Sequence, residues 1–433
     1  MNKAVSFSIN NFTEFKIQML NWANQFNIFC LLDNNHYQFE QPAFECLLAA
    51  GCSTKFSANA GNNVFEQLRI FYLQNPGWIF GHLSYDLKNE LENLQSAHKD
   101  LVAFEDINFF VPQVVLELTA TTVLIYTDAD ALGIFTDIIN SPSKFAALPT
   151  VTAIAIQHKI DKQYYLNSIQ HLQEHILQGD CYEVNFCQEF FATDAVINPL
   201  VVYQQLTNIS PSPFAALYKL DDKYCISASP ERYLKKTGNT LLSQPIKGTA
   251  IRDAGNQQAD EESKKQLLGS EKEKSENVMV VDLVRNDLSR VCKAGTVQVD
   301  ELYGLYSFPQ VHQMISTISG QLQEGLDWID AIKATFPMGS MTGAPKKKVM
   351  ELIEQYEQSK RGLYSGSIGY IRPNGDFDFN VIIRSILYND TNKYLSFQAG
   401  SAITFYSNAV QEYEECLLKT NAIRQVCKGN LPC

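Results

Sequence analysis

The chain has 433 residues, of which 45% are hydrophobic, and a formal net charge of −12. This is enough apolar sequence for a large core, and the acidic balance excludes broad binding to nucleic acid phosphates, which needs a basic footprint. The ten cysteines lack CxxC pairs and regular spacing, the pattern of reduced thiols in a cytoplasmic protein and not of a disulfide framework or a thiolate metal site.

The N-terminal MNKAVSFSINNFTEFKIQML has no compact apolar stretch followed by a small-residue cleavage site, and no run of about 18 apolar residues occurs in the chain. A soluble, cytoplasmic protein without a membrane or nucleic acid partner is the expectation. Length alone gives a prior of two or three domains, with one large α/β unit as the alternative.

Residues 1 to about 150 alternate short apolar runs such as NIFCLL and TTVLIY with polar turns, and they carry an aromatic stretch, GWIFGHLSYDL, at 77–87. Mixed helix and strand is the reading. SPSKFAALPT at 141–150 has two prolines and little periodicity, so the candidate linker falls there, between an N-terminal region (1–150) and a second region (160–425).

Tyr165, Ile169, Leu172 and Ile176 make one apolar face of a helix from Lys162 that stops at Gly179. Cys181 to Phe191 then reads as a strand, and a helix follows near Pro199 to Thr207. FAALYKL and KYCISASPERYLKK read as paired strands with Asp221 and Asp222 in the turn.

Next comes Pro-Ile-Lys-Gly-Thr, residues 245–249, where Pro245 and Gly248 bracket a constrained turn or strand end around Lys247. Lys247 is either a surface lysine beside a turn or an amine nucleophile. The second role requires desolvation or nearby cations, because an ordinary lysine with a pKa of about 10.4 is protonated near neutral pH.

In the charge-rich run 255–277, Glu273, Glu276, Val280 and Leu283 follow one another at helical steps, so two carboxylates continue an apolar stripe. A helix from about Ser407 to Val426 repeats the device with Glu412, Glu415, Lys419 and Ala422. These are either charged solvent faces or two acidic pairs that share a hard divalent cation such as Mg²⁺. Arg384, within the apolar strand-like FNVIIRSIL, needs a partner, either a structural carboxylate or a ligand's. His312 is read as a half-buried core histidine or a site residue. The glycines of GSMTGAPK and AGS place backbone N–H groups where an anion can meet them.

Five ordered stretches then carry a resemblance: PIKGT, SEKEKSENVMVVDLVRNDLSRV, FPMGSMTGAPKKKVMELIE, RGLYSGSIGYI, and QAGSAITF followed by EYEECLLK. They resemble the chorismate-utilising enzymes, the family of anthranilate synthase component I, aminodeoxychorismate synthase component I, and the isochorismate and salicylate synthases. The likeness runs from about residue 160 to 425 and extends more weakly to GHLSYDL and NISPSPF.

The resemblance implies an α/β (α+β) fold of two β-sheets packed around a core with helices outside, both regions in one compact unit. It also implies Mg²⁺ and chorismate. Carried over by position, Glu276 and Glu415 are the direct metal ligands, with Glu273 and Glu412 assisting through water. Arg384 and Tyr364 hold the enolpyruvyl carboxylate, Lys419 and the backbone at Gly400 complete the anion site, and His312 matches an active-site histidine. Lysine at position 247, where anthranilate synthases usually have alanine, marks the aminodeoxychorismate synthases. Glu231 in SASPERY then protonates the departing C4 hydroxyl while Lys247 adds at C2.

That branch implies a glutamine amidotransferase subunit as ammonia source and a downstream aminodeoxychorismate lyase, on the route to 4-aminobenzoate and folate. Glu183 in GDCYEVNF departs from the expected glutamine. It makes water activation as in the isochorismate branch less apt, and it either tunes the pocket or takes a proton from ammonium. Relatives hold tryptophan in the N-terminal region, where CLLDNN lies at 30–35. The competing readings are anthranilate synthase component I, an isochorismate or salicylate synthase, and a non-catalytic regulatory subunit.

Overall fold

Alternation along single strands divides the interior of the protein into two cores. In strand Ile28–Asp33, Ile28 and Cys30 point into one core while Phe29 and Leu31 point into the other, as the two-residue period of a strand requires. The computed structural model describes residues 4–37, 44–146, 154–253, 255–308 and 311–428. Among these, the strands form a twelve-stranded and a ten-stranded sheet, and every strand pairing is antiparallel.

One core contains apolar residues of both sheets, with Val280, Val284 and Leu288 of one helix closing it. The second lies on the other face of the larger sheet, under helices Phe12–Ala23, Lys162–Leu177 and Ala409–Lys419. The fold is therefore the expected two-sheet arrangement with helices outside. No helix among the described residues is long and apolar enough to cross a membrane.

Strands from both sides of residue 150 enter each sheet: Ile28–Asp33 pairs with Phe214–Leu220, and Ile79–Leu83 pairs with Ser367–Ile371. Residues 147–150 of the candidate linker lie outside the described residues.

The chain passes from one sheet to the other at two places that matter below. Strand Lys223–Ser229 belongs to the larger sheet and Arg232–Thr237 to the smaller, so SASPERY is broken at Pro230–Glu231. The return crossing lies between Phe377–Asn380 and Ser385–Asn389. The two crossings are tied together, since the Val381 N–H donates to Glu231 O at 3.0 Å and the Ala228 N–H to Arg384 O at 3.2 Å.

Helix starts follow their caps. Ser270 accepts from the Glu273 N–H, and Asn408 from Val410 and Gln411, satisfying donors that a helix leaves free. The expected C-terminal helix is two helices, Ala409–Lys419 and Asn421–Cys427. They part at Thr420, whose hydroxyl turns back to donate to Leu417 O at 2.7 Å.

A buried ion pair, Glu357 with Arg361, fastens strand Glu183–Ala192 to the loops around it. Glu357 accepts from the Cys187 N–H at 2.8 Å and from Arg361 at 2.6 and 3.0 Å, while Arg361 also donates to Asn185 O at 2.7 Å and Met341 O at 2.6 Å. Removing one member leaves the other charge buried and unpaired. Glu357→Ala is expected to cost about 3 to 5 kcal/mol, seen as a lower denaturant midpoint with unchanged slope.

Candidate active site

Lys247 is aimed by an irregularity in its strand. Ile246 stands opposite Ile315 and Thr249 opposite Gln313, so Ile246–Ile251 carries one residue more than its partner over this span. Such a bulge redirects side chains. Gly248 adopts φ +91, and a Cβ there would lie 3.1 Å from Glu273 Oε2, so glycine suits the position both conformationally and sterically.

The bulge turns Lys247 into a cavity of about 610 Å³ between the sheets, a volume within the range of small-molecule sites. Glu231 and Arg384 enter it from the two crossings, Gly400 from strand Tyr394–Ile403, and the acidic pairs from helices Glu271–Ser289 and Ala409–Lys419. Gly400 lets that strand lie close to its neighbour, as a Cβ would stand 2.1 Å from Phe186 O.

Ten of the eleven expected site residues line the cavity: Glu231, Lys247, Glu273, Glu276, Tyr364, Arg384, Gly400, Glu412, Glu415 and Lys419. His312 does not. It is fully buried, bonded through Nε2 to Asp260 at 2.9 Å and through Nδ1 to Ser307 at 2.9 Å. Strand alternation puts Val311 and Gln313 on the cavity side. The expected position is thus displaced by one residue, and Gln313, whose buried Oε1 has no hydrogen-bond partner, is the polar residue that faces the cavity. The alternation itself was the available signal.

Arg384 is also placed differently from its strand-like context. It sits just before strand Ser385–Asn389 with φ 50, and among the described residues no carboxylate lies within ion-pair distance of it, Glu231 acting only through space. The guanidinium lines the cavity. Tyr364 is buried with its hydroxyl 3.7 Å from Cys187 Sγ.

The four helical glutamates all line the cavity, the inward one of the two placements their spacing left open, and two lysines pair with them. Lys272 reaches Glu412 at 3.1 Å and Glu276 at 3.8 Å; Lys419 reaches Glu415 at 2.8 Å and donates to Gly400 O at 2.9 Å. Sequence reasoning passed over Lys272, although its i,i+4 spacing to Glu276 was visible. Lys419 is half exposed and occupied by Glu415.

Among the described residues no three acidic, histidine or cysteine side chains meet in a closed ligand cage. Even so, Glu276 Oε1 and Glu412 Oε2 are buried without hydrogen-bond partners. Orphaned carboxylate oxygens are the donors a hard divalent cation takes, so the chemistry of these residues fits Mg²⁺, which would compete with Lys272 for them.

Charge sets the protonation pattern. Burial pushes Glu231 up to about 7, against the pull of Lys247 and Arg384. Burial likewise carries Glu276 up to about 7, opposed by Lys247 and assisted by Glu183 and Glu273. Burial also raises Glu415, but Lys419, Lys272 and Lys247 more than offset it and leave it below the usual carboxylate range. Lys247 goes the opposite way from the sequence expectation. Burial lowers it, but Glu183 at 2.7 Å, with Glu276 and Glu231, outweighs burial and holds the ammonium well above the ordinary lysine range.

This site lies inside a match to the chorismate binding enzyme family that spans residues 29–425. The chain belongs to that family. An anthranilate synthase component I-like protein of Synechocystis is 33% identical over 87% of this chain and 77% of its own length. Aminodeoxychorismate synthase component 1 of Salmonella typhimurium is 33% identical over 80% of this chain and 76% of its own. The solved anthranilate synthase component I of Streptococcus pneumoniae superimposes with a TM-score of 0.76 at 25% identity, covering 89% of this chain and 93% of that one. The protein is therefore a chorismate-utilising enzyme with the fold of its relatives. Asp33 and Asn34 of the CLLDNN stretch lie apart from this site, in a smaller cavity of about 50 Å³ with Arg232 and Asp378.

The raised Glu231 has a consequence for stability. As pH rises from the ordinary glutamate pKa towards 7, the unfolded chain loses this proton while the folded one retains it, so the folded state loses ground. Glu231→Gln removes the effect. Relative to wild type, its melting temperature is expected to improve between pH 5 and pH 8, as followed by circular dichroism.

Proposed function

We propose that the chain is an aminodeoxychorismate synthase of the component I type, making 4-amino-4-deoxychorismate from chorismate and ammonia. Lys247 in the cavity carries this reading, since alanine at that place is what the resemblance leads one to expect of an anthranilate synthase. A glutamine amidotransferase subunit would supply the ammonia, and a separate lyase would carry the product to 4-aminobenzoate.

In this reading Arg384 and Tyr364 hold the enolpyruvyl carboxylate, using a guanidinium fork that no carboxylate among the described residues pairs with. Glu276 and Glu415 hold Mg²⁺, with Glu273 and Glu412 beside them, and the ion when bound offsets the negative charge of the ring carboxylate. Glu231, protonated up to about pH 7, donates its proton to the C4 hydroxyl as that group leaves. The Lys247 amine adds at C2, and ammonia then enters at C4 and displaces it. The low dielectric between the sheets strengthens each of these charge contacts.

The purified chain, given chorismate, Mg²⁺ and ammonium, is expected to form an amino-chorismate that an added aminodeoxychorismate lyase turns into 4-aminobenzoate, identified by mass spectrometry. Anthranilate formed without the lyase would make the protein an anthranilate synthase, and no turnover at all would point to a silent subunit or an obligatory partner. Lys247→Ala is expected to lose at least about 100-fold in kcat with ammonia; wild-type rates would remove the nucleophile role.

Mg²⁺ at a concentration well above its Kd is expected to raise the melting temperature of the wild type. Glu276→Ala should lose that rise, whatever its activity, and an undiminished rise would remove the metal assignment.

A further inference from the structure

Lys247 is bound to a residue that does not itself line the cavity. Glu183 stands at the start of strand Glu183–Ala192, 3% exposed, with its Oε1 2.7 Å from the Lys247 Nζ. Lys247, Glu231, Glu276 and Arg384 line the cavity, whereas Glu183 is not part of its lining. The pair joins the two sheets, because Glu183 is in the twelve-stranded sheet and Lys247 in the edge strand of the ten-stranded one.

Such a contact poses a problem for an amine nucleophile. Surrounded by carboxylates, Lys247 rests as an ammonium, and an ammonium has no lone pair with which to attack. The charged groups facing it are Glu183 on one sheet, Glu231 and Arg384 at the crossings, Glu273 and Glu276 on one helix, and Glu415 on the other, with Lys272 and Lys419 beyond them. Among these, Glu231 has its own proton to give. The helical glutamates belong to the cation site. Glu183 is the group hydrogen-bonded to the lysine nitrogen.

We propose that Glu183 is the positioning residue that takes the proton from Lys247, releasing it as a free amine, and returns that proton when the lysine leaves. The inference rests on the reading of Lys247 as nucleophile. In the first step an N–H bond of the ammonium breaks and an O–H bond forms on Glu183. The freed lone pair makes the N–C2 bond, the two conjugated ring double bonds shift, and the C4–O bond breaks, the hydroxyl departing as water with the proton of Glu231.

Ammonia then forms the N–C4 bond as the double bonds shift back. The C2–N bond breaks with its electron pair going to Lys247, and the new ammonium gives one proton to Glu231. Lys247 recovers its original proton from Glu183. Glu183, Lys247 and Glu231 all end as they began, and the net change is chorismate plus ammonia to the amino product plus water. A carboxylate performs this exchange where an amide cannot, because the side chain of Gln is neutral and accepts no proton at these pH values.

The test is kcat for wild type and Glu183→Gln across pH 6.5 to 9, with saturating chorismate, Mg²⁺ and ammonia held at fixed free concentration. Internal transfer leaves the proton count of the wild-type pair unchanged, whereas the variant must first lose its lysine proton to solvent. The expected result is a loss of about 100-fold in kcat near pH 7, with KM for chorismate little changed and the deficit shrinking about tenfold for each pH unit. A deficit that stays constant with pH would show that Glu183 only shapes the pocket and would overturn the proposal. A variant as fast as wild type or faster would overturn it too, by showing that Glu183 merely holds the lysine charged. Should the amide variant fail to fold, Glu183→Ala assayed with added formate serves instead. Dose-dependent recovery supports the proposal, and its absence in a folded protein overturns it. Wild-type rates in Lys247→Ala would instead sink the nucleophile reading itself, and are told apart because that variant leaves Glu183 untouched.

Discussion

The ion pair between Lys247 and Glu183 is the contact on which the architecture of the site turns. It spans the gap between the two sheets at 2.7 Å, and it does so amid an excess of buried carboxylate. Glu183, Glu231, Glu276 and Glu412 are all less than about a tenth exposed. Buried like charges raise one another's affinity for protons and resist being held together. The fold sustains them through three lysines, each seated on a different carboxylate: Lys247 on Glu183, Lys272 on Glu412 and Lys419 on Glu415.

The balance of charge also explains why two of the glutamates that act on the lysine, Glu231 and Glu183, differ in their chemistry. Glu231 sits at the crossing between the sheets, where burial dominates, and retains its proton to about pH 7. Glu183 instead has an ammonium in direct contact and meets it as a hydrogen-bond acceptor. Two carboxyl groups that act on one lysine thereby differ in protonation near neutral pH. Separating the behaviour of similar groups by environment is a general route to acid–base chemistry near neutral pH.

The walls of the site are held in place by contacts within the fold itself. The Glu357–Arg361 pair, joined by two hydrogen bonds, holds Asn185, Cys187 and the Met341 loop with three more, so the strand bearing Glu183 is fastened at its start. The bulge at Lys247–Gly248 and the close strand approach at Gly400 set the other walls. A site built on strands held in this way keeps its geometry better than one built on loops.

Much of this was legible in the sequence. Apolar alternation and turn residues announced the strands, the apolar face of Tyr165, Ile169, Leu172 and Ile176 announced one helix, and helical spacing put the four glutamates on the stripes of two others, because these are local properties of period. What only the tertiary structure decided is which side chains meet. The bond from Glu183 to Lys247 joins residues 64 apart in the chain, Gln313 and not His312 faces the cavity because a strand reverses its side chains at every residue, and the two crossings bring Glu231 and Arg384 to one pocket. Even the direction of the Lys247 shift was set by partners from other elements. Electrostatics depend on distance in space and on burial, and neither is written in the spacing of a single strand or helix.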